Sequence, residues 1–248
     1  MILHIPHSST HIPAEIRPQF ISSEQELDHE ILRMTDHYTD ELFDWPNAEK
    51  VIAKVSRLVV DPERFVNDQL EHMSKKGMGV IYENNSYGKR MKLRPSRKMR
   101  EEILQKYYFS HHDKLTELVK QELLEKGRSV VIDCHSFSDT PRSYEINQDK
   151  NRADICLGTC DFHTPPELMT LVRDFFETRG YSVAINAPFA GCLIPMDYYQ
   201  EDARVHGIMI ELNRRLYLNE ETAEKTNGFG KLQADLLELA DLLKANYR

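Results

Sequence analysis

Histidines, carboxylates and arginines stand at the ends of the most strand-like stretches of this chain. After the apolar stretch 2–5 come Pro6, His7, Ser8 and Ser9. After the β-rich stretch 51–60, which holds Ser56 and Arg57, come Asp61, Glu63 and Arg64. The run Ser129, Val130, Val131, Ile132 leads into Asp133, Cys134, His135 and Ser136, and the stretch 207–210 leads into Glu211, Asn213 and Arg214. In open α/β sheets ligands bind beyond the carboxyl ends of the strands, so these positions are the ones to read for chemistry. Imidazole and carboxylate donors with one position left open suit a catalytic Zn²⁺ or another divalent cation. Such an ion polarises an amide carbonyl and brings the pKa of water towards ~7. A further carboxylate can take that water's proton and return it to a leaving amine, and arginines can hold substrate carboxylates in a bidentate grip.

Taken singly, each residue also has a structural reading. A lone His after a strand is more often a packed one, and an Arg more often closes an ion pair. His7, His135 and Glu211 gain weight by meeting at one inferred sheet edge, and Glu is rarely buried without a partner. Cys134 beside His135 raises the alternative of a thiolate nucleophile, which a place inside a buried strand would disfavour. The remaining histidines, His4 and His111 among them, read as structural or surface residues.

The elements that must position these groups follow from pattern. The stretch 2–5 reads as a short strand stopped by Pro6. Ser23 with Glu26 forms a capping-box pattern, and Leu27, Ile31, Met34, Tyr38 and Leu42 recur at helical spacing, which predicts one helix ending near Trp45 and Pro46. Residues 51–60 read as one strand closed by Asp61 and Pro62, and residues 67–95 as a polar excursion with a short hairpin. A long helix is predicted over 97–126, with Gly127 at its C′ position. Residues 129–134 form a continuous apolar run, as a strand covered on both faces requires. Weaker strands over 154–158 and 182–186, a helix over 165–178, a strand over 207–212 and a final helix over 230–247 complete an α/β alternation around a mostly parallel sheet.

Bulk properties narrow the function classes. The chain has 248 residues, 40% hydrophobic and 29% charged, the balance of a globular protein with a real core. No repeat, low-complexity segment or linker divides it, so residues 1–248 are expected to form a single domain. A net charge of −8 and a pI near 5.8 argue against nucleic acid as a partner. The basic cluster from Lys89 to Arg100 is read as a solvated loop and helix start, or else as a positive rim for an acidic substrate. The four cysteines fit no zinc-finger spacing and call for no oxidising compartment. No stretch approaches a membrane span and the chain opens without a basic, apolar leader, so a cytoplasmic protein is expected, of open oligomeric state.

The motifs also carry a resemblance. Pro6-His7-Ser8, the Asp36-to-Asp40 segment, Ser56 through Arg64, Asp133-Cys134-His135-Ser136 and Glu211-Leu212-Asn213-Arg214 occur in the order seen in the N-formylglutamate amidohydrolase family. The segments 152–158 and 186–191 resemble it too, so the likeness runs from the first strand to about Tyr217. It implies hydrolysis of N-formyl-L-glutamate to formate and glutamate in histidine breakdown. It also implies the three-layer α/β/α sandwich of the zinc-dependent exopeptidases, with a mixed, mostly parallel sheet. In that wider group the segment around His135 resembles one carrying the last zinc ligand. The segment around Glu211 resembles one carrying the catalytic glutamate.

The resemblance thus implies a zinc hydrolase of a small acidic amide, with His7, His135 and a carboxylate on the metal and Glu211 as general base. Asp36 is the first candidate for that carboxylate, with Asp40 and Asp133 as substitutes. Arg57 and Arg64 are expected to bind substrate carboxylates, and Ser136 or Asn213 to orient the substrate. Thr10 stands where carboxypeptidases carry the glutamate of H-x-x-E, so a carboxylate from elsewhere must complete the metal site. Ser9 stands where the family usually has a small residue such as Gly, Glu63 where it usually has Asn, and Cys192 follows Gly191 where a second Gly is common; these departures bear on the substrate. The alternatives are the same metal site acting on a γ-glutamyl or other acyl-amino-acid bond, and a non-catalytic protein that binds an acidic ligand.

Overall fold

In the computed structural model, which describes residues 1–247, six strands form one sheet in the order β2-β1-β3-β6-β4-β5. The strands are β1 (Ile2–Ile5), β2 (Glu49–Ile52), β3 (Ser129–Phe137), β4 (Ile155–Gly158), β5 (Val183–Ile185) and β6 (Val205–Asn213). All neighbours run parallel except β4 and β6, which are antiparallel, so the sheet is mixed. The principal helices are α1 (Glu24–Met34), α2 (Thr39–Leu42), α3 (Arg97–Ile103), α4 (Ser110–Lys126), α5 (Pro166–Thr178) and α6 (Gly228–Asn246).

Helices cover both sheet faces, and period-two alternation along the strands sorts the side chains between them. Leu3 and Ile5 of β1, Val130, Ile132 and Cys134 of β3, and Ile208, Ile210 and Leu212 of β6 pack with α5 and α6 in the largest core. The opposite face begins as a smaller apolar core, in which Ile2, Val131 and Val205 meet Leu115 and Val119 of α4. Further along the same face the sequence supplies His4, Asp133, His135, Met209 and Glu211. The run from Ser129 to Phe137 is buried throughout, but only one of its faces is apolar along its whole length.

Three elements differ from the sequence reading. The helix capped by the Ser23–Glu26 box ends at Met34, not near Trp45. There the Asp36 amide donates to His7 O at 3.0 Å and Thr39 Oγ1 donates to Asp36 O at 2.9 Å, and Tyr38 takes a left-handed φ of 64°. Tertiary bonds to the β1 loop override a helical pattern that continues in the sequence. The strand predicted over 51–60 stops at Ile52, because the backbone turns after Ala53 donates to Ile5 O. Val55, Leu58, Val59 and Val60 instead build a satellite core with Leu27, Met34, Met78 and Tyr82 beneath the long 53–95 excursion. The helix over 97–126 contains a turn of π-helix at Leu104–Phe109 between α3 and α4.

Candidate active site

The site is assembled from the C-terminal halves of the central strands and from the loops that follow them. His7 comes just after β1. His135 and Glu211 lie inside β3 and β6, because those strands run on to Phe137 and Asn213. Asp36 reaches the same place through the break between α1 and α2. The Nδ1 atoms of His7 and His135 lie 3.6 and 3.3 Å from Asp36 Oδ2, and the two rings are 5.1 Å apart.

Both imidazoles turn their other nitrogen to a buried carboxylate. His7 Nε2 is 2.8 Å from Asp61 Oδ1, and His135 Nε2 is 3.0 Å from Asp133 Oδ1. This leaves two Nδ1 atoms and one carboxylate oxygen converging, with His7 Nδ1 buried and without a hydrogen-bond partner. Two nitrogens and an oxygen with the far side of each ring fixed by a carboxylate is a donor set that fits a divalent cation with a position left open.

The carboxylates are themselves anchored. Asp36 Oδ1 accepts from Arg214 at 2.9 Å and Oδ2 from the Ser136 amide at 3.2 Å. Asp61 Oδ2 accepts from Arg57 at 2.9 Å and from the Tyr82 hydroxyl at 2.7 Å, while Oδ1 also accepts from the Glu63 amide. Burial favours the protonated form of both acids. For Asp36 the hydrogen bonds of the two histidines and the Arg214 charge outweigh it; for Asp61 the Arg57 and His7 charges do. Both stay well below the usual carboxylate range. Burial opposes charge on His135, but the carboxylates of Asp133 and Asp36 hold its pKa well above the usual imidazole value.

Glu211 behaves in the opposite way. Its Oε2 is buried without a hydrogen bond. Burial first, then the nearby charges of Asp36 and Asp133, pushes its carboxyl up to about 8 against the pull of His135 and Arg214. Two sets of carboxylates with pKa values driven apart are the arrangement that separates a ligand role from a proton-transfer role.

A cavity of about 230 Å³ joins these groups. Of the residues singled out in the sequence, His7, Asp36, Arg57, Arg64, His135, Ser136 and Glu211 line it. Asn213 does not. Its amide donates to Asp139 Oδ1 and Ala153 O, and its Oδ1 accepts from the Arg215 amide. It ends β6 and ties it to neighbouring loops, outside the cavity that its expected role of orienting substrate requires. Ser136 Oγ accepts from Arg214 Nε at 3.2 Å. Arg64 Nε is buried with no hydrogen bond. Asp40 lies in α2 outside the lining. Cys134 faces the opposite core, and burial first, then the Asp133 charge, pushes its thiol well above the usual value, so it offers no nucleophile.

The cavity also has walls that sequence reasoning did not select. Arg33, Arg142, Tyr144 and Glu145 come from α1 and from the loop after β3, and Phe189 and Ala190 from the loop after β5. That last loop approaches closely because Gly158 lacks a side chain: a Cβ there would stand 2.1 Å from Gly191 O. Only the abundance of arginine near strand ends hinted at so cationic a pocket.

Comparison with known proteins shows the family and the fold. The model of the N-formylglutamate amidohydrolase family matches residues 1–218. The chain is 25% identical over 233 residues to the N-formylglutamate deformylase of Pseudomonas aeruginosa, covering 89% of this chain and 83% of that one. A crystal structure of N-formylglutamate amidohydrolase from Ralstonia eutropha JMP134 superposes with a TM-score of 0.85 at 27% identity, covering 99% of this chain and 92% of the other. A gene product of Agrobacterium tumefaciens shares the fold at a TM-score of 0.66 and 18% identity, over 100% of this chain and 91% of its own.

Proposed function

Because the chain belongs to the N-formylglutamate amidohydrolase family, we propose that it hydrolyses N-formyl-L-glutamate, or a closely related N-acylated acidic amino acid, to the carboxylic acid and the free amino acid. The observation that supports this reading is the meeting, in one arginine-lined cavity, of the His7–Asp36–His135 donor set with the unpartnered carboxyl of Glu211.

In this reading His7, His135 and Asp36 would hold a Zn²⁺ ion, with Asp61 and Asp133 fixing the two rings through their Nε2 atoms. Such an ion would supply Lewis acidity towards the formyl carbonyl and water. Glu211 takes a proton as the water oxygen bonds to the formyl carbon. It returns that proton to the nitrogen as the C–N bond breaks, so no amide anion is expelled; the second water proton stays on the new carboxyl group, which then ionises to formate as the free amine or solvent takes up that proton. Arg64, whose Nε has no hydrogen bond and only long ion pairs with Asp61 and Glu71 at 3.9 and 4.0 Å, and Arg57 bind the substrate carboxylates, and the Ser136–Arg214 pair shapes the wall beside them. Placement of both carboxylates by fixed cations holds the amide over the donor set, which is the orienting contribution to rate.

The direct test is formate release from N-formyl-L-glutamate together with metal analysis of the purified protein. His135→Ala is expected to lose the bound metal and the activity. Full metal content and turnover in that variant would refute the assignment.

A further inference from the structure

Behind His135, on the same sheet face, lies a second group of donors. His4 Nδ1 is 2.7 Å from Asp133 Oδ1 and 3.3 Å from Glu63 Oε1. One donor atom from each of His4, Glu63 and Asp133 lies within 4.8 Å of the others. Hydrogen bonding alone leaves this group unbalanced. A proton on His4 Nδ1 goes to Asp133, the nearer oxygen. His135 Nε2, 3.7 Å from Glu63 Oε1, also turns its proton to Asp133, at 3.0 Å. Glu63 Oε1 is therefore buried without a hydrogen bond; its contacts are the two imidazoles at 3.3 and 3.7 Å, whose protons point to Asp133. A buried carboxylate oxygen in that state is destabilising unless something positive meets it.

We propose that His4, Glu63 and Asp133 form a second divalent-cation site, separate from the His7–Asp36–His135 set. His4 can offer a bare Nδ1 because its Nε2 lies 2.8 Å from His111 Nε2, so its proton can sit on Nε2 and be donated to His111. Two carboxylates and a neutral imidazole balance a dication, and one nitrogen with two oxygens suits Zn²⁺ or Mn²⁺. Water can complete the coordination. Glu63 and Asp133 line a second cavity of about 400 Å³, which shares Glu63, Arg64, Ala190 and Met209 with the first. An ion here would fix Asp133, which orients His135, and so would steady the neighbouring donor set from behind.

The test counts metal. Chelated apoprotein is equilibrated with buffered Zn²⁺, and zinc per chain is measured by elemental analysis after gel filtration. The wild type is expected to bind two equivalents, Glu63→Gln one and His7→Ala one. His4→Gln, also expected to bind one, replaces Glu63→Gln should circular dichroism show that variant unfolded. A wild type with no zinc, or with one equivalent that His7→Ala loses, overturns the second site. So does a second equivalent that survives both Glu63→Gln and His4→Gln. A single equivalent lost in Glu63→Gln but kept in His7→Ala leaves this site standing and removes the first-site reading instead.

Discussion

His135 and Glu211 are register partners on the neighbouring parallel strands β3 and β6. Paired residues on adjacent strands point to the same face, with the strands ~4.8 Å apart. The pairing is continuous from Ser129 opposite Val205 to Phe137 opposite Asn213, and the residues following His135 and preceding Glu211 are held in the ladder. The spacing between a proposed ligand and the proposed base is therefore a property of the sheet, not of a loop. One can be altered without moving the other.

Glu211→Gln is accordingly expected to keep the metal and lose the chemistry. The amide has nearly the shape of the carboxyl but cannot accept a proton, and removing a general base typically lowers turnover by ~10²–10⁴-fold. Formate release and zinc content measured on the same preparation check this. Loss of zinc in the variant would make Glu211 a ligand and remove it as the base.

Asp61→Asn tests the layer behind the ligands. Asp61 accepts from His7, Arg57, Tyr82 and the Glu63 amide at once. An Asn amide cannot serve all four and leaves Arg57 without its counter-charge. Metal affinity should fall ~10–100-fold as His7 loses its orientation, and stability should fall by about 3–5 kcal/mol from breaking a buried ion pair. Zinc titration and urea denaturation measure the two separately. Unchanged zinc affinity would show that Asp61 serves the fold alone.

The arginines should separate in the same way. Arg64 Nε has no hydrogen bond, whereas Arg57 grips Asp61 through two nitrogens. Arg64→Ala is expected to raise KM for N-formylglutamate ~10-fold or more, as loss of a charge-assisted contact implies, with a smaller loss of Tm than Arg57→Ala, because its ion pairs to Asp61 and Glu71 are long, 3.9 and 4.0 Å. Arg57→Ala should raise KM and also lower Tm. If Arg64→Ala leaves KM untouched, the substrate carboxylates are held elsewhere, with Arg142 the next residue to test.

Much of this arrangement is legible in the sequence where local pattern and tertiary role agree. The apolar run before His135, the Pro6 stop before His7 and the strand leading to Glu211 each report both an element and its functional end. The legible part fails where long-range bonds decide. Nothing in the spacing from Leu27 to Leu42 shows that the helix breaks at Asp36, because the cause is His7 O, far away in sequence. Apolar residues 58–60 look like strand but fill a satellite core. His4 reads as a strand residue whichever face it takes, and only the sheet's alternation puts it beside Asp133. Arg33 sits on the predicted helix between Ile31 and Met34 and Arg142 in a polar loop, so their convergence on one cavity depends on how that helix and that loop are placed, which local pattern does not encode.

The metal-free protein should also show its charge arrangement in the pH dependence of its stability. Glu211 and His135 both have pKa values raised by folding, Glu211 to about 8. A group that binds its proton more tightly when folded contributes stability that is complete below its unfolded pKa and disappears as pH rises through its folded one. For Glu211 that loss runs from about 4.5 to about 8. For His135 it begins near 6.5 and continues upward. Asp36 and Asp61 are lowered instead, and their contribution disappears only as pH falls below about 3.8. Lys92, whose pKa burial lowers to about 7, and His111, lowered to about 2, contribute stability as pH rises and oppose this loss. The Glu211 share is therefore read as the difference in Tm slope between chelated wild type and chelated Glu211→Gln from pH 6 to pH 8, with the wild type losing more. Zinc reverses the trend, because His135 must give up its Nδ1 proton to bind it, so affinity rises over the same interval. Thermal melts at several pH values with chelator and with zinc give both slopes, and the gap between them should widen with pH. Equal slopes in the chelated wild type and Glu211→Gln would mean that Glu211 does not carry a raised pKa, and the division of roles between ligand and base would lose its electrostatic support.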